Sequence, residues 1–375
     1  MDVEVRHDLF KGKGVYAKKP FLKDSIIFQE DPLVSCQLSW NAAYGYLACD
    51  HCLRPLETAQ ENAGRLSGQL VELPYPECCT IDKSKITKCP YCPVNYCSEE
   101  CKMEAFDHYH KMLCHEINGS HPLEQLNEAW KKVHYPPETN SIMLIARLLS
   151  RIQQASNKED TIAQTLEFCH TTTDKSKNLA HKLLGEKFVN QIYTLHGLLV
   201  AAIPNEGIEH LLTFDGFLSL LALIGTNTQG VGTSAIANWA TKAENLSLET
   251  KDKEVFDSFL DQLYQQMEEN VGDFLNNEGV ALYRLQSCCN HSCDPNAVVK
   301  FMNNNHRLSL VALKDIEEGE EICISYLDDC VLTKSRHSRC KELMNNYLFV
   351  CRCDRCNNES DQPDETSEED DSMSD

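Results

Sequence analysis

The sequence contains no apolar run long enough to cross a lipid bilayer. Its longest apolar stretches, residues 198–204 and 217–224, are far shorter than the roughly 20 residues that a membrane-spanning helix needs. The first residues, Met-Asp-Val-Glu, are charged and lack the features of a secretory signal. We therefore expect no membrane partner and a cytoplasmic protein, with the nucleus as a second compartment.

Basic residues are also scarce. The chain has 35 Lys and Arg against 57 Asp and Glu, a formal net charge of -22. Residues 357–375 contain nine of the acids and no base, a composition typical of a disordered tail. Because an acidic surface repels phosphate backbones, the sequence argues against direct nucleic-acid binding and favours a basic protein substrate.

Cysteine, by contrast, is abundant, with 20 residues. Disulfides are rare in the cytosol and nucleus, so metal binding is the better explanation for so many cysteines. Eight potential ligands make two closed, four-coordinate zinc sites of the structural type. They are Cys49, Cys52, Cys89, Cys92, Cys97, Cys101, His110 and Cys114.

Two alternatives stay open in this region. The long gap between Cys52 and Cys89 contains Cys78 and Cys79, which are rival ligands. His108 competes with His110, although an exposed surface histidine is its more ordinary interpretation.

A third cysteine cluster lies near the end of the chain, at Cys351, Cys353 and Cys356. Three thiolates leave a zinc ion one ligand short, and Cys293 is the candidate for the fourth. A zinc ion that joins such distant residues clamps the end of a domain onto its core. The alternative is three unrelated cysteines in a frayed terminus, which the tight spacing disfavours.

Two further segments, residues 290–296 (Asn-His-Ser-Cys-Asp-Pro-Asn) and 319–326 (Gly-Glu-Glu-Ile-Cys-Ile-Ser-Tyr), resemble the paired motifs of the SET domain. The resemblance implies methyl transfer from S-adenosylmethionine to lysine. It implies that Tyr326 is catalytic and also contacts the cofactor, with its hydroxyl near the methyl group and the amine. It further implies that Asn290 and His291 bind the cofactor. Taken alone, Tyr326 would be read as a buried strand tyrosine.

Other site residues follow from the same resemblance. Lys13 and Gly14 match a glycine-bearing turn beside the cofactor; Ala17 stands where a dinucleotide loop needs its third glycine, which excludes a Rossmann fold. Asn227 is expected to lie against the cofactor. Tyr347 is expected to line the lysine channel and Phe349 to cover the cofactor, with simple packing beside the zinc as the alternative.

The zinc-ligand pattern at 49–114 resembles the MYND finger, in which Cys49, Cys52, Cys97 and Cys101 would share one ion. SET segments, MYND finger and cysteine-rich closing segment in this order resemble the SMYD family. The implied fold is α+β: a mostly β SET domain split by the finger and a helical insert, with a zinc-binding post-SET segment. The implied ranges are 1–48 (SET, N-terminal part), 49–114 (finger), 115–280 (helical insert), 281–330 (SET core), 331–356 (post-SET) and 357–375 (acidic tail).

Periodicity supports the helical insert. Ile142, Ile145, Leu149 and Ile152 recur every three or four residues, which predicts a helix with a buried stripe. A second such stripe falls within residues 256–271. Residues 230–249 have few helix signals and are predicted to form an extra loop.

The resemblance implies a protein-lysine methyltransferase with S-adenosylmethionine and three zinc ions as cofactors. Its partner would be a basic protein, a histone tail or a ribosomal or translation protein, with a peptide partner at the MYND finger. The alternative is an interaction adaptor whose SET scaffold is inactive. The presence of Tyr326, Asn290 and His291 favours the enzyme.

Overall fold

The computed structural model describes residues 1–9, 11–114, 122–134, 140–169, 173–174, 179–180 and 189–360. It has the predicted mixed α+β architecture, with several small sheets and a large group of helices. Among these residues no helix combines the length and the apolar character that crossing a membrane requires. Most of the predicted acidic tail, residues 361–375, lies outside the described residues.

The secondary structure follows the chain in this order. The strands are β1 Val3–Asp8, β2 Gly12–Ala17, β3 Ile26–Glu30, β4 Val34–Gln37, β5 Thr87–Lys88, β6 Asn95–Tyr96, β7 Thr173–Asp174, β8 Leu179–Ala180, β9 Thr228–Thr233, β10 Asn277–Leu282, β11 Asn290–His291, β12 Ala297–Lys300, β13 Leu308–Ala312 and β14 Glu321–Ile324. The α-helices are Ala59–Ser67, Glu99–Ala105, Lys111–Leu113, Pro122–His134, Ile142–Gln154, Lys158–Leu166, Val189–Ala202, Glu209–Leu212, Phe214–Asn227, Ala235–Glu244, Thr250–Val271, Asp329–Leu332, Arg336–Tyr347 and Asp354–Asn358.

Three sheets bring the two ends of the chain together. Their strand orders are β1-β2-β14-β11, β4-β10-β9 and β12-β13-β3, so each sheet joins strands from the first 40 residues to strands from beyond residue 276. All five residues of β13 are buried, as expected for a central strand covered on both faces. The split domain predicted from the sequence is thus assembled by pairing across the inserts.

The helices form the largest core of the molecule. The predicted stripe of Ile142, Ile145, Leu149 and Ile152 is fully buried there, on a helix that begins where the Ser141 hydroxyl accepts a hydrogen bond from the Met143 amide. Serine in this position satisfies a backbone donor that the helix itself leaves unpaired. These apolar residues therefore form core, as the periodicity predicted.

The prediction of an extra loop at 230–249 is wrong. The segment contains the end of β9, which pairs with β10, and then the helix Ala235–Glu244, capped by the Ser234 hydroxyl. Gly230 and Gly232 weaken the strand signal. The helix is held by tertiary packing, because Trp239 is fully buried in the helical core.

The zinc-finger range, residues 49–114, is also not structurally separate from the helical core, although the ligand pattern implied a separate module. The gap between Cys52 and Cys89 contains the helix Ala59–Ser67, which packs on Ala235–Glu244 and Thr250–Val271. The Asn270 side-chain amide donates to the Leu66 carbonyl at 2.9 Å. The interruption therefore belongs to the helical core, while the ligands form a small core of their own.

A buried arginine joins the finger to the rest of the molecule. The Arg147 guanidinium donates to the backbone carbonyls of Ser35 and Asp50, at 2.8 and 2.6 Å, and pairs with the Asp50 carboxylate. It also donates to the Tyr109 hydroxyl at 3.1 Å. One side chain thus connects a helix of the insert, strand β4 and the turn between two zinc ligands.

We expect Arg147→Met to lower the free energy of unfolding by about 3 kcal/mol, because removing one partner leaves the Asp50 carboxylate and two carbonyls without their donor in a buried site. Denaturant unfolding with zinc present measures this. Arg151→Met is the matched control: Arg151 lies one turn further along the same helix, and burial lowers its pKa. Equal losses in both variants would contradict the role of Arg147.

Candidate active site and metal clusters

Three groups of side chains converge as metal ligands would. In each, the four ligand atoms lie within 4.8 Å of one another. The groups are Cys49, Cys52, Cys97 and Cys101; Cys89, Cys92, His110 and Cys114; and Cys293, Cys351, Cys353 and Cys356. They are the three sets, with the same members, that the sequence predicted.

The distances within each group fit zinc. Four sulfurs about 2.3 Å from one tetrahedral ion are separated by about 3.8 Å. The Sγ atoms of Cys52 and Cys97 are 3.6 Å apart, and those of Cys293 and Cys356 are 3.5 Å apart. In the second group, Cys92 Sγ is 3.4 Å from His110 Nε2. None of the twenty cysteines forms a disulfide, so each group could bind one zinc ion.

The rival ligands lie elsewhere. Cys79 is buried against the helical core, and its Sγ accepts a hydrogen bond from the Asn238 amide at 3.3 Å. Cys78 packs against the same core. His108 is half-buried rather than exposed as expected, and it lines a cavity beside the finger. The three groups contain none of these residues.

The closing segment is longer than predicted. The helix Asp354–Asn358 runs past Cys356, and the Glu359 carboxylate pairs with Arg355 at 2.9 Å and with the buried Arg339 at 2.5 Å. Residues 357–359 therefore belong to the folded closing segment and not to the tail. Arg339 also donates to Cys356 Sγ at 3.6 Å, an outer-shell contact of the kind that orients metal ligands.

The two SET-like segments meet at a short parallel strand pair. Asn290 lies opposite Cys323 and His291 opposite Ile324, and the Ser292 amide donates to the Ile324 carbonyl at 2.9 Å. Tyr326 follows directly on the end of β14. The pairing therefore brings the predicted catalytic and cofactor residues to one place.

Tyr326 is a hydrogen-bond donor in this site. Burial raises its pKa well above the ordinary value of a tyrosine, so the hydroxyl stays protonated at physiological pH. It donates to the backbone carbonyl of Cys289 at 2.7 Å. Cys289 could not be predicted as a partner of Tyr326, because its backbone and not its side chain makes the contact.

His291 connects the active-site tyrosine to the third metal cluster. Its Nδ1 accepts a hydrogen bond from the Tyr326 amide at 3.0 Å, so in the neutral ring the proton sits on Nε2, 3.3 Å from Cys293 Sγ. Both ring nitrogens are thus used inside the protein.

Aromatic rings surround the Tyr326 side chain. The ring centroid of Tyr347 is 4.9 Å away and that of Phe349 is 6.3 Å away, edge-on. His291 completes the group at 5.4 Å. Burial raises the pKa of Tyr347, and the nearby carboxylates of Asp328 and Glu342 add to the rise. Aromatic faces in this arrangement can hold an aliphatic chain that carries a cation.

Asn290 lies beside Lys13 and Gly14, as predicted. Its Nδ2 donates to the Lys13 carbonyl at 3.0 Å and to Glu321 Oε1 at 2.7 Å. Gly14 lies within strand β2 and not in a turn; a Cβ there would be 2.9 Å from Glu321 Oε1 and 3.2 Å from Asn290 Nδ2. The glycine therefore makes room for a side-chain pair. The Lys13 ammonium donates to the Glu167 carbonyl at 3.0 Å.

The side chain of Asn227, which the resemblance places against the cofactor, makes three hydrogen bonds with the backbone. Its Nδ2 donates to the carbonyls of Cys169 and Leu223, at 2.7 and 2.8 Å, and its Oδ1 accepts from the Cys169 amide at 3.3 Å. Both the nitrogen and the oxygen of this side-chain amide are therefore hydrogen-bonded to backbone groups. It does not bring Asn227 into the hydrogen-bonded group around Asn290 among the described residues.

We expect Gly14→Ala to lower the free energy of unfolding by about 2 kcal/mol, because the added methyl group overlaps Glu321 and Asn290. Gly232→Ala is the control, since a Cβ at Gly232 meets no atom within 4 Å, and it should cost little. Thermal and denaturant unfolding of both variants measures the difference. A loss at position 232 equal to that at position 14 would contradict the steric explanation.

Comparison with known proteins identifies the family. The family model described as SET domain matches residues 12–327. The chain is 50% identical to protein-lysine N-trimethyltransferase SMYD5 of Homo sapiens, over 98% of this chain and 90% of that protein. It is also 50% identical to SMYD5 of Gallus gallus, over 96% and 86% of the two chains. This chain belongs to the SMYD family of SET-domain proteins.

Membership of the SMYD family confirms the resemblance found in the sequence, and with it the class of protein-lysine methyltransferases. Two features resemble the fifth SMYD member: the Cys-Cys-Asn-His-Ser-Cys segment at 288–293 and the interrupted finger. The 50% identity to the two SMYD5 proteins agrees with this resemblance. A more distant relative, histone-lysine N-methyltransferase SMYD3 of Homo sapiens, is 25% identical over 92% of this chain and 59% of that protein.

Proposed function

We propose that this protein transfers methyl groups from S-adenosylmethionine to the side-chain amine of a lysine in a basic protein, as far as the trimethylated state. The observation that carries the proposal is the junction of β11 and β14, where the Tyr326 hydroxyl, the aromatic group and Asn290 come together. The relatives named protein-lysine N-trimethyltransferases support the same activity.

The residues of the chain favour a positioning mechanism. S-adenosylmethionine, when bound, supplies a methyl group on a positively charged sulfur. Tyr326 is protonated, since burial raises its pKa, and is therefore not a general base. Its ring and that of Tyr347 would align the lysine chain, while Phe349 would cover the cofactor. Alignment of this kind can account for much of a rate enhancement.

The lysine amine must be neutral when it reacts, although its ordinary pKa is about 10.4. An apolar, aromatic channel disfavours the ammonium form, because burial without a partner disfavours charge. The proton would leave to solvent before the amine enters the channel. Each transfer gives an ammonium product. The monomethyl and dimethyl forms must lose a proton to solvent before the next transfer, and the trimethyl form is a permanent cation that the aromatic faces can stabilise.

We further propose a basic partner, a histone tail or a ribosomal or translation protein. The net charge of -22 supports it, as do the carboxylates of Asp328 and Glu342 close to Tyr347. A peptide partner at the MYND finger and a cytoplasmic location, with the nucleus as a second compartment, complete the proposal. Direct nucleic-acid contact is not expected of so acidic a chain.

The test is methyl transfer from labelled S-adenosylmethionine into cell extract fractionated by charge. We expect label in basic fractions, and mass spectrometry of digests to place it on lysine and count the methyl groups. Label that appears equally with the Tyr326→Phe variant would contradict the proposal. If the protein neither labels a substrate nor binds the cofactor in calorimetry, the adaptor function becomes the better explanation.

A further inference from the structure

The Glu321 carboxylate is held at both of its oxygens. Its Oε1 accepts the hydrogen bond from Asn290 Nδ2 at 2.7 Å. Its Oε2 accepts from the Lys11 ammonium at 2.8 Å, and the Glu321 side chain is only 15% exposed. The carboxylate therefore forms a bridge between a lysine at the β1–β2 turn and the asparagine on β11.

This bridge fixes which way the Asn290 amide points. Its nitrogen faces two acceptors, the Lys13 carbonyl and Glu321 Oε1. Only the NH₂ end of an amide can satisfy two acceptors, so the amide cannot flip without losing both bonds. Oδ1 is consequently turned away from them, and among the described residues no donor reaches it. An oxygen in this position is suited to an N–H donor from outside the protein.

We propose that Glu321, held by Lys11, is a positioning residue that presents Asn290 Oδ1 to an N–H group of the methyl donor. The inference rests on the proposed function, because it needs the donor to bind beside Asn290. Gly14 takes part through its missing side chain, since a Cβ would overlap both Glu321 Oε1 and Asn290 Nδ2. Hydrogen bonds with a charged partner are among the stronger ones, which explains why a carboxylate holds the amide.

The first measurement is the affinity of the full-length, zinc-loaded chain for S-adenosylmethionine by calorimetry. We expect Glu321→Ala to weaken binding about tenfold and Lys11→Met about threefold, as expected for the loss of about one hydrogen bond and of part of an ion pair. Glu318→Ala is the matched control. It removes an exposed carboxylate three residues earlier, and its affinity should equal that of the wild type.

A mutant cycle separates positioning from a general structural effect. If Glu321 acts through Asn290, Glu321→Ala should cost less than about twofold in affinity when Asn290 is already alanine. Glu321→Gln should restore part of the loss, because its carbonyl oxygen can still accept from Asn290. In turnover, the effect should fall on KM for the methyl donor, with kcat at saturating donor changed less than about twofold.

The outcomes separate this inference from the proposed function. Wild-type affinity in Glu321→Ala, or the same loss in both backgrounds of the cycle, overturns the positioning role and leaves the methyltransferase intact. No binding by the wild type overturns both. Should Glu321→Ala fail to fold, Lys11→Met carries the test, because Lys11 is 61% exposed, and unchanged affinity in that variant overturns the proposal.

Discussion

We expect Tyr326→Phe to lower turnover by about two to three orders of magnitude, while the fold and the affinity for the methyl donor are kept. Loss of one preorganised donor at a reacting centre typically has this effect. The substitution removes only the hydroxyl that donates to the Cys289 carbonyl. The ring remains, and so does its packing against Tyr347 at 4.9 Å.

The measurement is the initial rate of methyl transfer at saturating donor, with calorimetry for donor affinity. Tyr193→Phe is the matched control, because Tyr193 is exposed and stacks on Phe214 outside the active-site group. It should turn over like the wild type. Wild-type turnover in Tyr326→Phe would remove Tyr326 from the mechanism, and loss of donor affinity would show that its role is binding instead.

Cys351→Ser should release one zinc ion per chain and weaken donor binding by more than about tenfold. Metal binding at a structural site contributes directly to folding, and the third cluster joins Cys351 to Cys293, three residues after Asn290. Without that ion, the helices Arg336–Tyr347 and Asp354–Asn358 lose their connection to β11. Cys293 Sγ, which contacts His291 Nε2 at 3.3 Å, is then no longer held in place by the ion.

Zinc content by elemental analysis and limited proteolysis of the closing segment measure this effect. Cys330→Ser is the control, because Cys330 is exposed and lies outside the three clusters; it should keep three zinc ions and full affinity. Full zinc content together with full affinity in Cys351→Ser would show that the third cluster is not a metal site.

The zinc ligands and the active-site strands could be predicted from the sequence because their signals are local. Spacings of two to four residues restrict which thiolates reach one ion, and Tyr326 lies in a segment whose residues together resemble a known motif. Even the long-range ligand Cys293 was accessible, since three thiolates require a fourth. In each case the chemistry demanded a partner that only a few residues could supply.

The remaining contacts were not accessible because they join residues that are far apart in the chain. Arg147 and Asp50 are 97 positions apart, and Lys11 and Glu321 are 310 apart. Nothing in either local segment marks these side chains as partners. The same applies to β9, whose glycines conceal a strand that exists because β10 pairs with it, and to the helix Ala59–Ser67 inside the finger.

The contacts of Arg147 couple the stability of the finger to that of the helical core. Asp50 lies between the ligands Cys49 and Cys52, so a bound ion shapes the turn that presents its carboxylate to Arg147. Linkage is reciprocal. If zinc binding stabilises the helix Ile142–Gln154, the folded helix raises the affinity for zinc by the same free energy. Zinc binding at the finger is thereby coupled to the stability of the helical core. A substitution in the finger is then expected to affect both.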